Sequence, residues 1–179
     1  MFNVRKAGQV AAFFASAEGG TINLLKLMKL IYLAERIYLD RFDALILDDR
    51  FFSMKHGPVC TNTLDCINGS RRDMDGWNEF ITDRENYMLS TTNEVVGTEE
   101  LDELSNAEIS VLTDTWTDHG SKTNWELVDW THENCSEWAD PDGSSLPISY
   151  EAVLKALGKP DPESLGKRVQ SEAAFKIPA

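Results

Sequence analysis

The chain has 179 residues, 17 Lys+Arg against 30 Asp+Glu, a formal charge of −13, and 42% apolar and 26% charged residues. This is a globular composition, long enough for one domain with a sizeable core, and it excludes disordered and collagen-like classes. The acidic balance argues against a nucleic-acid or anionic-membrane surface, which needs clustered Lys and Arg. The charge is uneven: residues 1–72 are net +3, residues 73–142 net −17, and residues 143–179 net +1.

The first predicted element is a helix over about Asn3–Ser16, where Val4, Ala7, Val10, Ala11 and Phe14 recur at helical spacing. A signal peptide is the minor alternative, weakened by Gly8 and Gln9 within a short apolar run. Gly19-Gly20 turns the chain, and Thr21 or Asn23 caps the next helix, residues 24–42. The breadth of that helix's apolar face predicts a central helix packed on more than one side, and its charges exclude a membrane span. Leu45–Leu47 and Phe51–Met54 read as short strands or extended edges, and Gly57-Pro58 as a break with Pro58 opening a helix over Val59–Ile67. Trp77–Thr82 and Tyr87–Thr91 resemble a hairpin, with Glu94–Val96 as an extension or third strand.

Ser105-x-x-Glu108 and Thr123-x-x-Glu126 are capping boxes that open two further helices. Gly120 stops the first of them. Asp140–Ser145 is a surface loop, and Ile148–Leu157 another helix stopped by Gly158. Asp161-Pro162-Glu163 starts a final helix or tail. The expected fold is mainly α: a compact multi-helix domain over residues 1–158 with a small antiparallel sheet or hairpin, followed by a C-terminal helix or tail over residues 159–179.

Three cysteines, Cys60, Cys66 and Cys135, are too few and too irregular for a disulfide framework or a zinc site, and read as buried free thiols. There is no P-loop, GxGxxG, GxSxG or HExxH motif, so no cofactor and no metal is expected. His56 reads as a local hydrogen-bonding or capping residue. His119 and His132 read as helix-end residues that suit the dipole. Trp116, Trp125 and Trp130 are expected to pack the core, whereas Trp138, before a polar loop, is the tryptophan expected to be exposed. The acidic middle segment is either a solvated face or a surface for a basic partner.

Lys26-Leu27-Met28-Lys29-Leu30-Ile31-Tyr32-Leu33-Ala34 resembles the KLxKLxYLA helix of the Panacea domain of SocA-like antitoxins. His56-Gly57-Pro58-Val59 resembles that family's YGPV turn, with His56 where an aromatic, often Tyr, is usual. Leu104–Glu108, Leu112, Gly120, Trp125–Leu127, Thr131-His132 and Trp138 follow in order, so the resemblance covers roughly residues 4–157. It implies a cytoplasmic protein of bacterial or phage origin that binds and neutralises a cognate protein toxin from an adjacent gene. It also implies, as an alternative, an adaptor that delivers a toxin to an ATP-dependent protease. On this resemblance His56, Gly57, Pro58, His132 and Trp138 are candidate partner-binding residues. Lys26, Leu27, Lys29, Leu30 and Tyr32 form the family-matching helix, with Leu27 and Leu30 as core.

These features make a non-catalytic binding protein the leading expectation, with no direct nucleic-acid or membrane partner. The adaptor reading would use Ser164–Ala179 as a tether. An enzyme reading requires His56, His132 and nearby carboxylates to converge in one pocket.

Overall fold

The computed structural model describes residues 1–82, 84–92 and 97–175. Helix α1, Val4–Ala17, is capped by Asn3, whose side chain accepts from the Lys6 amide. Gly19 and Gly20, both at positive φ, end its exit turn. The chain then passes through strand β1, Thr21–Asn23, into helix α2, Leu24–Phe42. Asn23 is the cap residue, its side-chain oxygen taking the Leu25 amide at 2.9 Å. Helix α2 is the axis of the molecule, packing on α1, β1 and helices from the C-terminal half of the chain. Its buried residues run from Lys26 to Glu35 without a gap, as the breadth of its apolar face predicted.

Strands β2, Phe51–Met54, and β3, Gly57–Cys60, form a hairpin, and strand β5, Leu146–Ile148, adds to the other edge of β2. This antiparallel sheet has the order β3-β2-β5, with Phe51 opposite both Cys60 and Ile148. A second sheet pairs β1 with β4, Met88–Ser90, placing Ile22 opposite Leu89. The remaining helices are α3 (Thr61–Ile67), α4 (Asp75–Asn78), α5 (Asn106–His119), α6 (Asn124–Asn134), α7 (Tyr150–Ala156) and α8 (Pro162–Phe175). The architecture is therefore mainly α with small antiparallel sheets. One apolar cluster joins Phe14, Ile22, Ile31, Phe51, Trp77 and Val169.

Both capping boxes form completely. Ser105 and Thr123 accept from the amides of Glu108 and Glu126, and each glutamate returns a bond to the cap amide. Four local expectations are corrected. Leu45–Leu47 is not a strand, because the Ile46 and Leu47 amides are both taken by the Glu35 carboxylate, at 2.8 Å each. Pro58 does not open a helix but lies in β3, an edge strand, where a residue without an N–H is tolerated. Trp77 sits in α4, and the supposed hairpin is reduced to isolated bridges such as Ile81 with Thr91, while β4 takes the distant β1 as its partner. Ile148 belongs to β5, and Ser149 caps α7. Glu94–Val96 lies outside the described residues.

The opposite charges of the first and middle thirds meet within the fold. Lys6 pairs with Glu108 at 2.7 Å, Arg36 with Glu137 at 2.8 Å, Arg41 with Asp114 at 2.5 Å and Arg5 with Glu79 at 2.9 Å. Helix α8 packs on α7 and buries Val169, so residues 162–175 form a docked helix. Cys60, Cys66 and Cys135 are free and buried, as expected. Among the described residues no helix is long and apolar enough to cross a membrane.

Candidate protein-binding site

The β2–β3 hairpin turns through Lys55 and His56, between paired Met54 and Gly57. Gly57 is required twice over. Its φ is +99°, and a Cβ there would lie 2.8 Å from Thr131 Oγ1 and 2.9 Å from Lys29 Nζ. That close approach lets Lys29, fully buried in the middle of α2, donate to the Pro58 carbonyl at 2.8 Å. Burial lowers the Lys29 pKa to about 7, since desolvation disfavours the ammonium. On the other side of the hairpin, Trp138 Nε1 donates to the Met54 carbonyl at 2.9 Å and the Ala139 amide donates to Ser53 Oγ at 3.2 Å. His132 stacks flat on Trp138, with ring centres 3.8 Å apart and planes 9° from parallel. The hairpin is thus held between α2 and the chain that leaves α6.

The other residues of the family-matching helix face inward as well. Lys26 donates to the Gly120 carbonyl at 2.7 Å, pairs with Glu18 at 2.6 Å and lies over the Trp116 ring. The Tyr32 hydroxyl donates to Glu137 Oε1 at 2.7 Å beside Arg36. Leu27 and Leu30 are fully buried. The structure therefore gathers Lys29, Gly57, Pro58, His132 and Trp138 around one hairpin, while Lys26 and Tyr32 tie α2 to later segments.

His56 goes the other way. It is exposed at the hairpin tip, where its ring meets Trp125 edge-on at 5.3 Å. Trp125 is 56% exposed, which corrects its expected place in the core. The signal was in the sequence: Trp125 shares its helix face with Asp129 and Glu133, one and two turns on. Trp116 and Trp130 do pack against the core, and Trp138 is half-buried rather than open. His119 is also corrected. It is buried against Trp130 at 4.6 Å, and desolvation lowers its pKa, so it is not a charged partner for the end of α5.

Beside this aromatic pair an apolar pocket of about 360 Å³ opens, walled by Leu24, Leu25, Met28, Met54, Val59 and Leu64. Its rim carries Lys55, His56, Ser144 and Ser145. Tyr87, 71% exposed, joins the start of α2 through its backbone, its carbonyl accepting from the Leu24 amide at 2.8 Å. The pocket brings His56 and Gly57, which the resemblance offered as partner-binding residues, together with helix, strand and loop residues that carried no such expectation.

The histidines of this site make ring contacts. His56 and His132 each face a tryptophan ring, and burial, with Lys29 as a further contributor, depresses the His132 pKa. Among the described residues there is no group of three His, Cys, Asp or Glu side chains placed to hold a metal ion.

No curated protein and no solved structure matches the chain. A family model does, the antitoxin SocA-like Panacea domain, over residues 27–139. That span is well over half the chain and holds most of α2, the hairpin, α5, α6 and Trp138. This chain belongs to the SocA-like antitoxin family and carries its Panacea domain.

Proposed function

We propose that this protein is the antitoxin of a toxin–antitoxin module, neutralising a cognate protein toxin from an adjacent gene through a protein–protein interface. Membership of a family whose domain is generally non-enzymatic supports this reading. The observation that carries it is the exposed Trp125–His56 pair beside an open apolar pocket, on a domain whose other tryptophans are at least partly buried. Large aromatics at a recess are the residues that anchor interfaces. A complex of this kind buries on the order of 1,600 Å² in total. The partner-facing residue is His56 at the tip, and the buried Gly57 and Pro58 of β3, with His132 and Trp138, hold that tip in place. Residues 1–158 act as the binding unit in the cytoplasm, and the acidic charge of residues 73–142 steers a basic toxin to it.

Co-expression tests the proposal. Each neighbouring open reading frame is expressed alone and together with this protein, and growth and co-purification are scored. One neighbour is expected to be toxic alone, harmless in combination and bound. If no neighbour is toxic or bound, the proposal fails. Toxin abundance in the same cells separates masking, where it is unchanged, from delivery to an ATP-dependent protease, where it falls.

A further inference from the structure

The pocket and its surroundings also specify what should enter it. Its walls are aliphatic and thioether side chains from α2, β2, β3 and α3, so the anchoring group is apolar, and an aliphatic side chain matches their chemistry. The segments that flank it carry exposed carboxylates. No Lys or Arg occurs between Lys122 and Lys155, a stretch that holds α6 and the loop at the pocket's edge. On α6, Asp129 and Glu133 are exposed along the same face as Trp125. The loop that brings Ser144 and Ser145 to the rim carries exposed Asp140 and Asp142. Lys55 is the cation on the rim, and Lys29 is enclosed behind it.

We infer that the pocket receives a basic amphipathic segment of the toxin, one aliphatic side chain filling the recess and neighbouring Lys or Arg side chains meeting Trp125, Asp129 and Asp140. The inference rests on the antitoxin reading for the partner's identity and on the pocket's own chemistry for the rest. Apolar filling supplies the anchor, as in helix-in-groove recognition. The exposed indole offers a face for a cation, and the two aspartates complete its neutralisation. An acidic segment would meet repulsion from Asp129, Glu133, Asp140 and Asp142, and a wholly polar one would leave the recess unfilled.

The test uses the full chain, isotopically labelled, titrated with three short synthetic peptides: an amphipathic one of Leu and Lys, the same pattern in Leu and Glu, and one of Ser and Lys with equal charge. The Leu/Lys peptide is expected to shift the amides of Leu25 and His56 and the Trp125 indole. It should bind at least roughly tenfold more tightly than either control. Trp125→Ala and Leu25→Glu should each weaken it by a similar factor while leaving the circular dichroism spectrum unchanged. Both positions are surface or helix-start sites, and a glutamate near a helix N-terminus is tolerated. Equal binding of the Ser/Lys peptide, shifts located elsewhere, or wild-type affinity in both variants overturns the inference.

The toxin identified by co-expression gives a second arm. Asp129→Lys combined with Asp140→Lys should lose neutralisation, and Phe42→Ala, at an exposed site far along α2, should keep it. If all variants neutralise like the wild type, the pocket inference falls and the antitoxin proposal stands. If no neighbour is toxic, the antitoxin proposal falls and the peptide titration still decides the pocket.

Discussion

The two halves of α2 use buried ionisable side chains in opposite ways. In the C-terminal half, Glu35 is fully buried and accepts the amides of Ile46 and Leu47, while Tyr32 and Arg36 converge on Glu137. Those groups fix loops that have no secondary structure of their own. In the N-terminal half, Lys26 and Lys29 donate to the carbonyls of Gly120 and Pro58, at the end of α5 and in the hairpin. There the hairpin that Lys29 anchors borders an open apolar pocket instead of closing over it. The lesson is that the motif's lysines are interior supports, and the surface beside them is completed by side chains from the hairpin and α6 as well as by Met28 of the motif itself.

The largest expected effect breaks the closed half. Glu35→Ala leaves two buried amides unpaired and should cost about 4 kcal/mol in urea unfolding, given 1–3 kcal/mol for each unsatisfied group. A loss below about 1 kcal/mol would show that water satisfies both. Gly57→Ala strikes the open half. The left-handed backbone and the clash with Thr131 and Lys29 should together cost about 3 kcal/mol. A midpoint equal to wild type would mean that the hairpin rearranges freely.

The pH dependence sharpens the contrast. Burial raises the Glu35 pKa from 4.5 to about 8, so the folded state holds a proton that the unfolded chain has lost. Stability from this site is therefore full below about 4.5 and declines as pH rises towards 8. Lys29 has the opposite sign. Its pKa falls from 10.5 to about 7, so between these values the unfolded chain binds the extra proton and stability rises with pH. The limiting slope is about 1.4 kcal/mol per pH unit. Lys29→Met should remove the rise above pH 8, and an unchanged profile would refute the assignment.

Smaller effects are expected at the caps. Ser105→Ala should cost about 1 kcal/mol, and Thr123→Ala less, because the first box is partly buried with Glu108 also paired to Lys6, and the second is exposed. Parallel melting curves compare the two. Trp125→Ala should change stability by no more than about 0.5 kcal/mol. A larger loss would place the indole among core-supporting residues and count against its role at a surface.

Much of the local structure was legible before any coordinates. Asn23 as one of two candidate caps, Gly19-Gly20 as a turn, the extent of α2 and both capping boxes depend on interactions a few residues long, which sequence spacing records directly. The misreadings share one cause. Leu45–Leu47 has its amides claimed by Glu35, Pro58 is held in an edge strand by Lys29, and β4 pairs with β1 from far upstream. Each depends on a partner distant in sequence, which local propensity does not contain. For the site, the sequence pointed to the hairpin and to His132 and Trp138 through the family motif, but it put Trp125 in the core. The amino-acid sequence by itself determined the family, the mainly helical class and the helix ends. Only the tertiary structure decided that the motif's lysines are enclosed and that Trp125 meets His56 beside an open pocket, because exposure is a property of how separate elements pack and not of any one of them.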